Sequence, residues 1–335
     1  MEKETIIKKL KQRFWTKIRN QLSGKMYLYS FKSYWHYIFH KAKAKELNTT
    51  SYFAARPHIY AGIGHQMANW IAGLWFSKHF KLKFASIPFS TEKWDDYLGF
   101  GMGEVQYYDL IQQGYKVRRL PKFDEYNQTE VDLTKAIINT YSGTKTILLA
   151  IQDQGYKNQY GVMKELQKKF RNAPARANDK IEYDASKFNI AVHVRRTVVI
   201  GDKIIEENDE IKAMRWLNND YYERVLIQVL ENLKVNKPIA IWLFSTGKPE
   251  EFEEFKQYGE VHFCSFMDEY RSFAHLIFAD LLITSKSSFS YKPALMNTGI
   301  KLCPRNFWHG YPKSKDWILA DNEGNFDVKL LKELV

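Results

Sequence analysis

Cysteine is nearly absent. Only Cys264 and Cys303 occur in 335 residues, too few for a disulfide framework or a cysteine-built zinc site, so a reducing, cytoplasmic setting is expected. Long apolar runs are missing too. No stretch approaches the about 20 apolar residues that a membrane-crossing helix needs, and the N-terminus lacks the apolar core and small-residue cleavage site of a secretory signal. There is no Asp-x-Asp, the pairing that would hold a metal-bound diphosphate; Asp95 and Asp96 are adjacent and point to opposite faces of an extended chain. His65, His193 and His275 show no recognisable ligand spacing, so no metal is assigned.

What is present points to a packed protein. The 45% hydrophobic and 16% aromatic content argues for a core rather than disorder, and the length accommodates two domains. The formal charge of +12 invites a nucleic-acid reading, but its distribution does not support one. Residues 1–45 carry twelve Lys/Arg against Glu2 and Glu4, a net +10 that leaves +2 for the rest. A nucleic-acid enzyme usually carries its basic surface on the folded domain, so no nucleic acid is expected as a partner.

The basic segment has its own pattern. Ile6, Leu10, Phe14, Ile18 and Leu22 recur every four residues with cations between them, the spacing of an amphipathic helix. Two aromatic clusters follow, over residues 26–31 and 34–39. Tyr and Trp favour the bilayer interface, and clustered cations add attraction to anionic lipid. Residues 1–45 are therefore read as a peripheral attachment to an anionic membrane surface, on the inner face of the cell membrane. The alternatives are a helix packed on the body of the protein with its charges solvated, and an RNA-binding arm.

Beyond the arm, short apolar strands alternate with amphipathic helices. Strands are expected at 57–61, 82–87, 146–151, 188–194, 239–244, 261–263 and 281–284. Helices are expected at 65–80, 129–141, 161–171, 220–233, 249–258, 268–279 and 288–297, and a linker at 172–179 around Pro174. Such alternation gives parallel sheets covered on both faces, with ligands seated at the carboxyl ends of strands. The division is an arm over 1–50, an N-terminal α/β lobe over 51–180 and a C-terminal lobe over 181–335.

Four segments lie where that rule places a site. Gly62-Ile63-Gly64-His65-Gln66 is a glycine turn opening a helix, where backbone N–H groups can approach an anion; the third glycine of the dinucleotide fingerprint is missing. His193-Val194-Arg195-Arg196 ends an apolar strand, and a guanidinium fork there can grip phosphate. Phe244-Ser245-Thr246-Gly247-Lys248 follows another strand but lacks the glycine spacing of a triphosphate loop; Ser245 could touch a base or ribose. The fourth segment runs from Asp280 through a short strand to Ser287, Ser288, Phe289 and Ser290, where serines cap a helix or donate to a pyrophosphate. Taken singly, each has an ordinary structural reading: a tight turn, a surface ion pair, a helix cap.

Taken together and in order, the segments resemble the fucosyltransferase superfamily, in particular the α-1,2-fucosyltransferases of glycosyltransferase family 11. The resemblance rests on Gly62-Ile63-Gly64-His65-Gln66, His193-Val194-Arg195-Arg196, Asp220-Tyr221-Tyr222, Phe244-Ser245, Ser287-Ser288-Phe289-Ser290 and Pro304-Arg305-Asn306-Phe307. His65 stands where the family has Asn, four residues separate Arg196 from Gly201-Asp202, and Thr246-Gly247 replaces an acidic pair. Thr197 matches the His-x-Arg-Arg-Thr form of related α-1,6-fucosyltransferases.

The resemblance implies a GT-B-like pair of Rossmann-type lobes and an inverting transfer from a GDP-sugar, with GDP-fucose the expected donor, to a glycan or lipid-linked glycan. It implies that Arg195 contacts the donor diphosphate and that Ser287, Ser288 and Phe289 line the nucleotide site; Gly62, Gly64, His193, Arg196, Ser245 and Asp280 are further candidate donor contacts from the four segments. In an inverting transfer the departing diphosphate must be neutralised and the acceptor proton taken. Arg195 is assigned the first task without a divalent ion. Asp202 is assigned the second, with Glu206 and Glu207 as reserves and His65 near the sugar. The rival readings are a transferase for another activated deoxy or heptose sugar, and a non-catalytic glycan-binding relative.

Overall fold

The structure is a computed structural model that describes residues 14–15, 17–58, 61–151, 158–196, 198–200, 203–205 and 209–334. Backbone contacts divide it into two units. The first comprises Met1–Arg56, Asn69–Ile87 and Gly103–Gly155; the second comprises Pro57–Ala68, Pro88–Met102 and Tyr156–Val335. Each unit contains one parallel sheet of at least five strands, so the α/β class expected from strand–helix alternation is the class observed.

In the first unit, α1 (Gly24–Tyr29) and α2 (Lys32–Phe39) precede β1 (Tyr52–Ala55). The later part of α3 (Ile63–His79) follows, then β2 (Lys83–Ser86), β3 (Val105–Gln106), β4 (Lys116–Arg119), α4 (Gln128–Asn139) and β5 (Thr146–Ala150). The strands lie side by side in the order β3-β2-β1-β5-β4, all parallel. β5 is buried along its whole length, as a strand covered on both faces must be. Ala54, Ala85, Leu110, Ile147 and Leu149 form the core beside it.

Three expectations shift here. The strand placed at 57–61 is β1, a few residues earlier: Pro57 has no N–H to give a ladder, whereas Tyr52 to Ala55 pair with β5 on one side and, at Tyr52 and Phe53, with β2 on the other. β4 was not expected, because Lys116-Val117-Arg118-Arg119 reads as polar chain; it is tolerated as the edge strand beside β5. Parts of both aromatic clusters are built into this unit. Phe31 and Ser33 are buried, Ser33 Oγ donates to Arg119 O at 2.5 Å, and the His36 ring stacks on Tyr141 at 4.0 Å. The opposite side leaves Tyr29, Trp35 and Phe39 exposed, with Trp35 and Phe39 stacked at 6.0 Å. Ile6 and Leu10 lie outside the described residues.

The second unit is organised around β6 (Phe188–Val194), β9 (Ile239–Ser245), β10 (Glu260–Phe263), β11 (Leu281–Ile283), β12 (Ile300–Pro304) and β13 (Trp317–Ala320). They lie in the order β10-β9-β6-β11-β12-β13, all parallel. Counted by appearance in this sheet the order is 3-2-1-4-5-6, the doubly wound arrangement whose winding reverses beside the first strand. The helices α5 (Asn219–Asn232), α6 (Glu269–Phe278) and α7 (Ser288–Met296) fall between these strands. Ile190, Val192, Tyr222, Val225, Leu243 and Phe255 are almost fully buried in the core.

The stretch expected as a linker is instead folded. Residues Pro174–Asn178 form a 3-10 turn, and the Arg176 guanidinium lies 3.7 Å over the Phe170 ring. The lengthened segment after Arg196 forms a small antiparallel hairpin, β7 (Val198–Ile200) against β8 (Lys203–Ile205). The helix expected at 249–258 is a 3-10 segment broken at Phe252.

Candidate active site

In a doubly wound sheet a ligand sits outside the carboxyl ends of the strands, where the winding reverses. In the second unit that point lies between β6 and β11, which pair through Ile190, Ala191 and Val192. β6 ends at Val194 and delivers Arg195; β11 ends at Ile283 and runs through Thr284 and Ser285 into α7. The half-buried Arg195 extends Nη1 to Ser287 Oγ at 3.4 Å. Ser287 is the N-cap of α7: its backbone is extended, and its hydroxyl accepts the Phe289 N–H at 3.2 Å. The arginine and the positive end of a helix therefore share one serine.

A second helix end meets the first. Gly64 lies in the opening turn of α3, and a Cβ built there would stand 2.7 Å from the Ser288 carbonyl carbon and 2.8 Å from Ser288 O. Only a residue without a side chain allows that approach. The glycine turn is held in shape by Gln66, whose Nε2 donates to Ala61 O and Ser90 Oγ and whose Oε1 accepts the Ser90 N–H, each at 2.8 Å. This contact explains why residues 57–68 belong with the C-terminal sheet. The N-termini of α3 and α7 converge beside Arg195. Backbone N–H groups, two helix dipoles and a guanidinium make a strong setting for a multiply charged anion.

His193 supports this point from below. Its ring is buried, with Nδ1 2.7 Å from Ser285 Oγ and the Phe289 ring 5.6 Å away. Burial, and then the Arg195 charge, push its pKa down to about 3, so the imidazole is neutral at physiological pH. It positions Ser285 and adds no charge. Tyr222, from the Asp-Tyr-Tyr segment, is fully buried beside Arg195, Arg196 and Ser285.

The other expected residues disperse. Arg196 turns inward: Nη1 donates to Leu217 O at 3.1 Å, Nη2 to Asn219 Oδ1, and Nε faces Glu251 at 3.8 Å. Its guanidinium braces the start of α5 and does not join Arg195. Ser245 ends β9 beside Val194, and its Oγ accepts the Gly247 N–H at 3.0 Å. Asp280 stands at the amino end of β11, where its carboxylate accepts the Asn189 N–H at 2.8 Å. It closes the far edge of the sheet and takes no part in the cluster. Gly62, with open space where a Cβ would be, supplies the carbonyl that accepts the His65 N–H at 3.0 Å. Asp202, Glu206 and Glu207 lie outside the described residues.

No protein-family model and no curated protein sequence matches the chain. Several solved structures are similar to it. NodZ α-1,6-fucosyltransferase co-crystallized with GDP aligns at 13% identity and a TM-score of 0.45, over 84% of this chain and 98% of that one. Fucosyltransferase NodZ from Bradyrhizobium aligns at 13% identity and 0.43, over 75% and 93%. POFUT1 in complex with GDP-fucose aligns at 13% identity and 0.40, over 83% and 99%.

Several residues around the cluster escaped sequence reading. His309 is buried with its ring 4.9 Å from Tyr291, and burial, Lys292 and His65 all hold its pKa low. Lys292, on α7, is completely buried, with Nζ donating to Gln159 Oε1 at 2.8 Å. Burial pushes that amine well below its ordinary pKa. The half-buried His65 has its ring 5.8 Å from His58. With the His193 and His309 imidazoles held toward their neutral forms, chiefly by burial, the amides at the helix ends and Arg195 supply positive potential there. Nothing in the sequence marks Lys292 or His309 as buried, since lysine and histidine usually reach solvent.

Proposed function

We propose that the protein is an inverting glycosyltransferase that moves fucose from GDP-fucose to a hydroxyl of a glycan or lipid-linked glycan. One observation carries this reading: the Gly64–Ser288 contact brings two helix N-termini beside Arg195 at the reversal point of a doubly wound sheet. That setting suits a nucleotide diphosphate as leaving group, because donors fixed before reaction stabilise charge as it develops. The ordered resemblance of the sequence to fucosyltransferases selects GDP-fucose from among sugar nucleotides.

In the proposed mechanism the acceptor hydroxyl attacks the anomeric carbon opposite the diphosphate. The anomeric carbon–oxygen bond to phosphate breaks, and its electron pair leaves with GDP. Arg195 and the N–H groups at the starts of α3 and α7 take up that charge, and no divalent ion is required. Asp202 accepts the hydroxyl proton, and His65 orients the sugar. Titration with GDP-, UDP- and ADP-sugars, with magnesium and with chelator, tests the reading. GDP-fucose is expected to bind tightest and to turn over in chelator; a strict magnesium requirement or a preference for UDP-sugars would sink it.

The exposed rings of Tyr29, Trp35 and Phe39, set among Lys25, Lys32, Lys41, Lys43 and Lys45, suit attachment to an anionic bilayer on the cytoplasmic side. Replacing both Trp35 and Phe39 by Ser should reduce flotation with anionic vesicles at least about tenfold, with Tm unchanged. Equal flotation of the variant would refute a role for these rings.

A further inference from the structure

The first unit has a cationic feature that the donor reading does not use. Arg56 follows β1 and Arg119 ends β4, so both stand at the carboxyl edge of that sheet. A cavity of about 410 Å³ opens there, lined by Arg19, Tyr27, Phe31, Arg119, Lys122 and Ile151 among others. Its wall is held by long-range bonds: Tyr27 Oη accepts the Lys122 N–H at 2.8 Å, and Ser33 Oγ donates to Arg119 O at 2.5 Å. The Arg19 guanidinium lies 5.0 Å over the Phe31 ring and donates to Ser30 O at 3.3 Å, while its Nε is buried without a partner among the described residues.

Among the described residues no carboxylate pairs with Arg19, Arg56, Arg119 or Lys122. Glu130, the acid that acts on Tyr27, is engaged with the Asp124 N–H and Asn127 Nδ2. Burial, then the charges of Arg19 and Arg56, push Arg119 below its ordinary pKa. Like charges held together in a partly desolvated cavity are relieved by an anion. The remaining wall, with Leu22, Leu120 and Ile151 beside two aromatic rings, is apolar.

We infer that this cavity is a binding site for a phosphate ester bearing an apolar group. The phosphate meets Arg119, Arg19 and Lys122, and the apolar part lies against Tyr27, Phe31 and Ile151. Guanidinium forks suit phosphate oxygens, and the rings give the rest of the ligand a dry surface. The site shares no residue with the cluster around Arg195 and stands whether or not the donor reading holds. Such a ligand arrives either dissolved or as the headgroup of a membrane lipid; the chemistry recognised is the same.

The full chain tests this with three probes: inorganic phosphate, octyl phosphate, and phosphatidylcholine vesicles doped with phosphatidic acid. Calorimetry should show octyl phosphate binding at least about tenfold tighter than inorganic phosphate, and the double variant R119Q/K122Q weakening it by about tenfold or more. Saturating GDP should leave that affinity unchanged. Vesicle flotation that depends on phosphatidic acid and fails in the double variant assigns the ligand to the bilayer. Octyl phosphate binding without such flotation assigns it to solution. Lys122 is exposed, so K122E alone reports on the site if R119Q/K122Q does not fold. The inference falls if octyl phosphate binds no better than inorganic phosphate. It falls equally if a folded R119Q/K122Q or K122E variant binds octyl phosphate as the parent does.

Discussion

The two sheets place positive charge at their carboxyl edges by different means. In the second unit one arginine meets two helix ends, and the titratable groups beneath, His193, His309 and Lys292, are held toward their neutral forms by burial. In the first unit the Arg19 guanidinium lies over the Phe31 ring, and burial, followed by the charges of Arg19 and Arg56, holds Arg119 below its ordinary pKa. Backbone amides cannot move away from a developing charge, so the first arrangement suits a leaving group. Side-chain cations on rings can shift to meet a ligand of variable shape, so the second suits holding.

The sharpest way to break this contrast is Arg195→Ala. Removing a fixed charge donor should lower transfer from GDP-fucose by about a thousandfold, with Tm and octyl phosphate affinity unchanged. If octyl phosphate affinity fell equally, the two regions would not be separate. Gly64→Ala comes next. The added methyl meets the Ser288 backbone, and relieving an overlap of that kind costs about 1–3 kcal/mol. GDP affinity should drop about tenfold as the helix ends part; equal affinity in calorimetry would show that their convergence does not matter to the nucleotide.

The smallest effect is on pH. His193 has a folded pKa of about 3 against an ordinary value of 6.5, so below 6.5 the unfolded chain binds the extra proton. Stability should therefore be retained above pH 6.5 and decline as pH falls toward 3, by about 1.4 kcal/mol per unit for one proton. His309, also held neutral, adds to the slope. Urea unfolding at pH 7 and pH 5 should show a shallower decline in His193→Asn than in the parent. An unchanged slope would mean that the buried imidazole is not the group being protonated.

What the sequence made legible follows from chemistry that acts locally. Phe188 to Val194 reads as a strand with the bounds observed, because a parallel strand covered on both faces is a continuous apolar run. The Ser287 cap was legible for the same reason: extended backbone followed by a helix leaves an N–H for the hydroxyl to accept. β4 was not, since its charged residues pay for an edge position that only the folded sheet defines. Asp280 sits close to Ser287 in sequence, but three strand residues carry the chain about 10 Å across the sheet. Arg195 and Arg196 are neighbours whose side chains leave in different directions, one to a serine hydroxyl and one to Asn219. The approach of Gly64 to Ser288 joins segments far apart in the chain, and no local pattern announces it.

Lys292 offers a practical consequence. An amine with no exposed surface and one amide acceptor is inert to acylating reagents while its surroundings stay closed. Mass-spectrometric labelling of that lysine would act as a clock for opening of the second unit, and ligands that steady α7 should slow it.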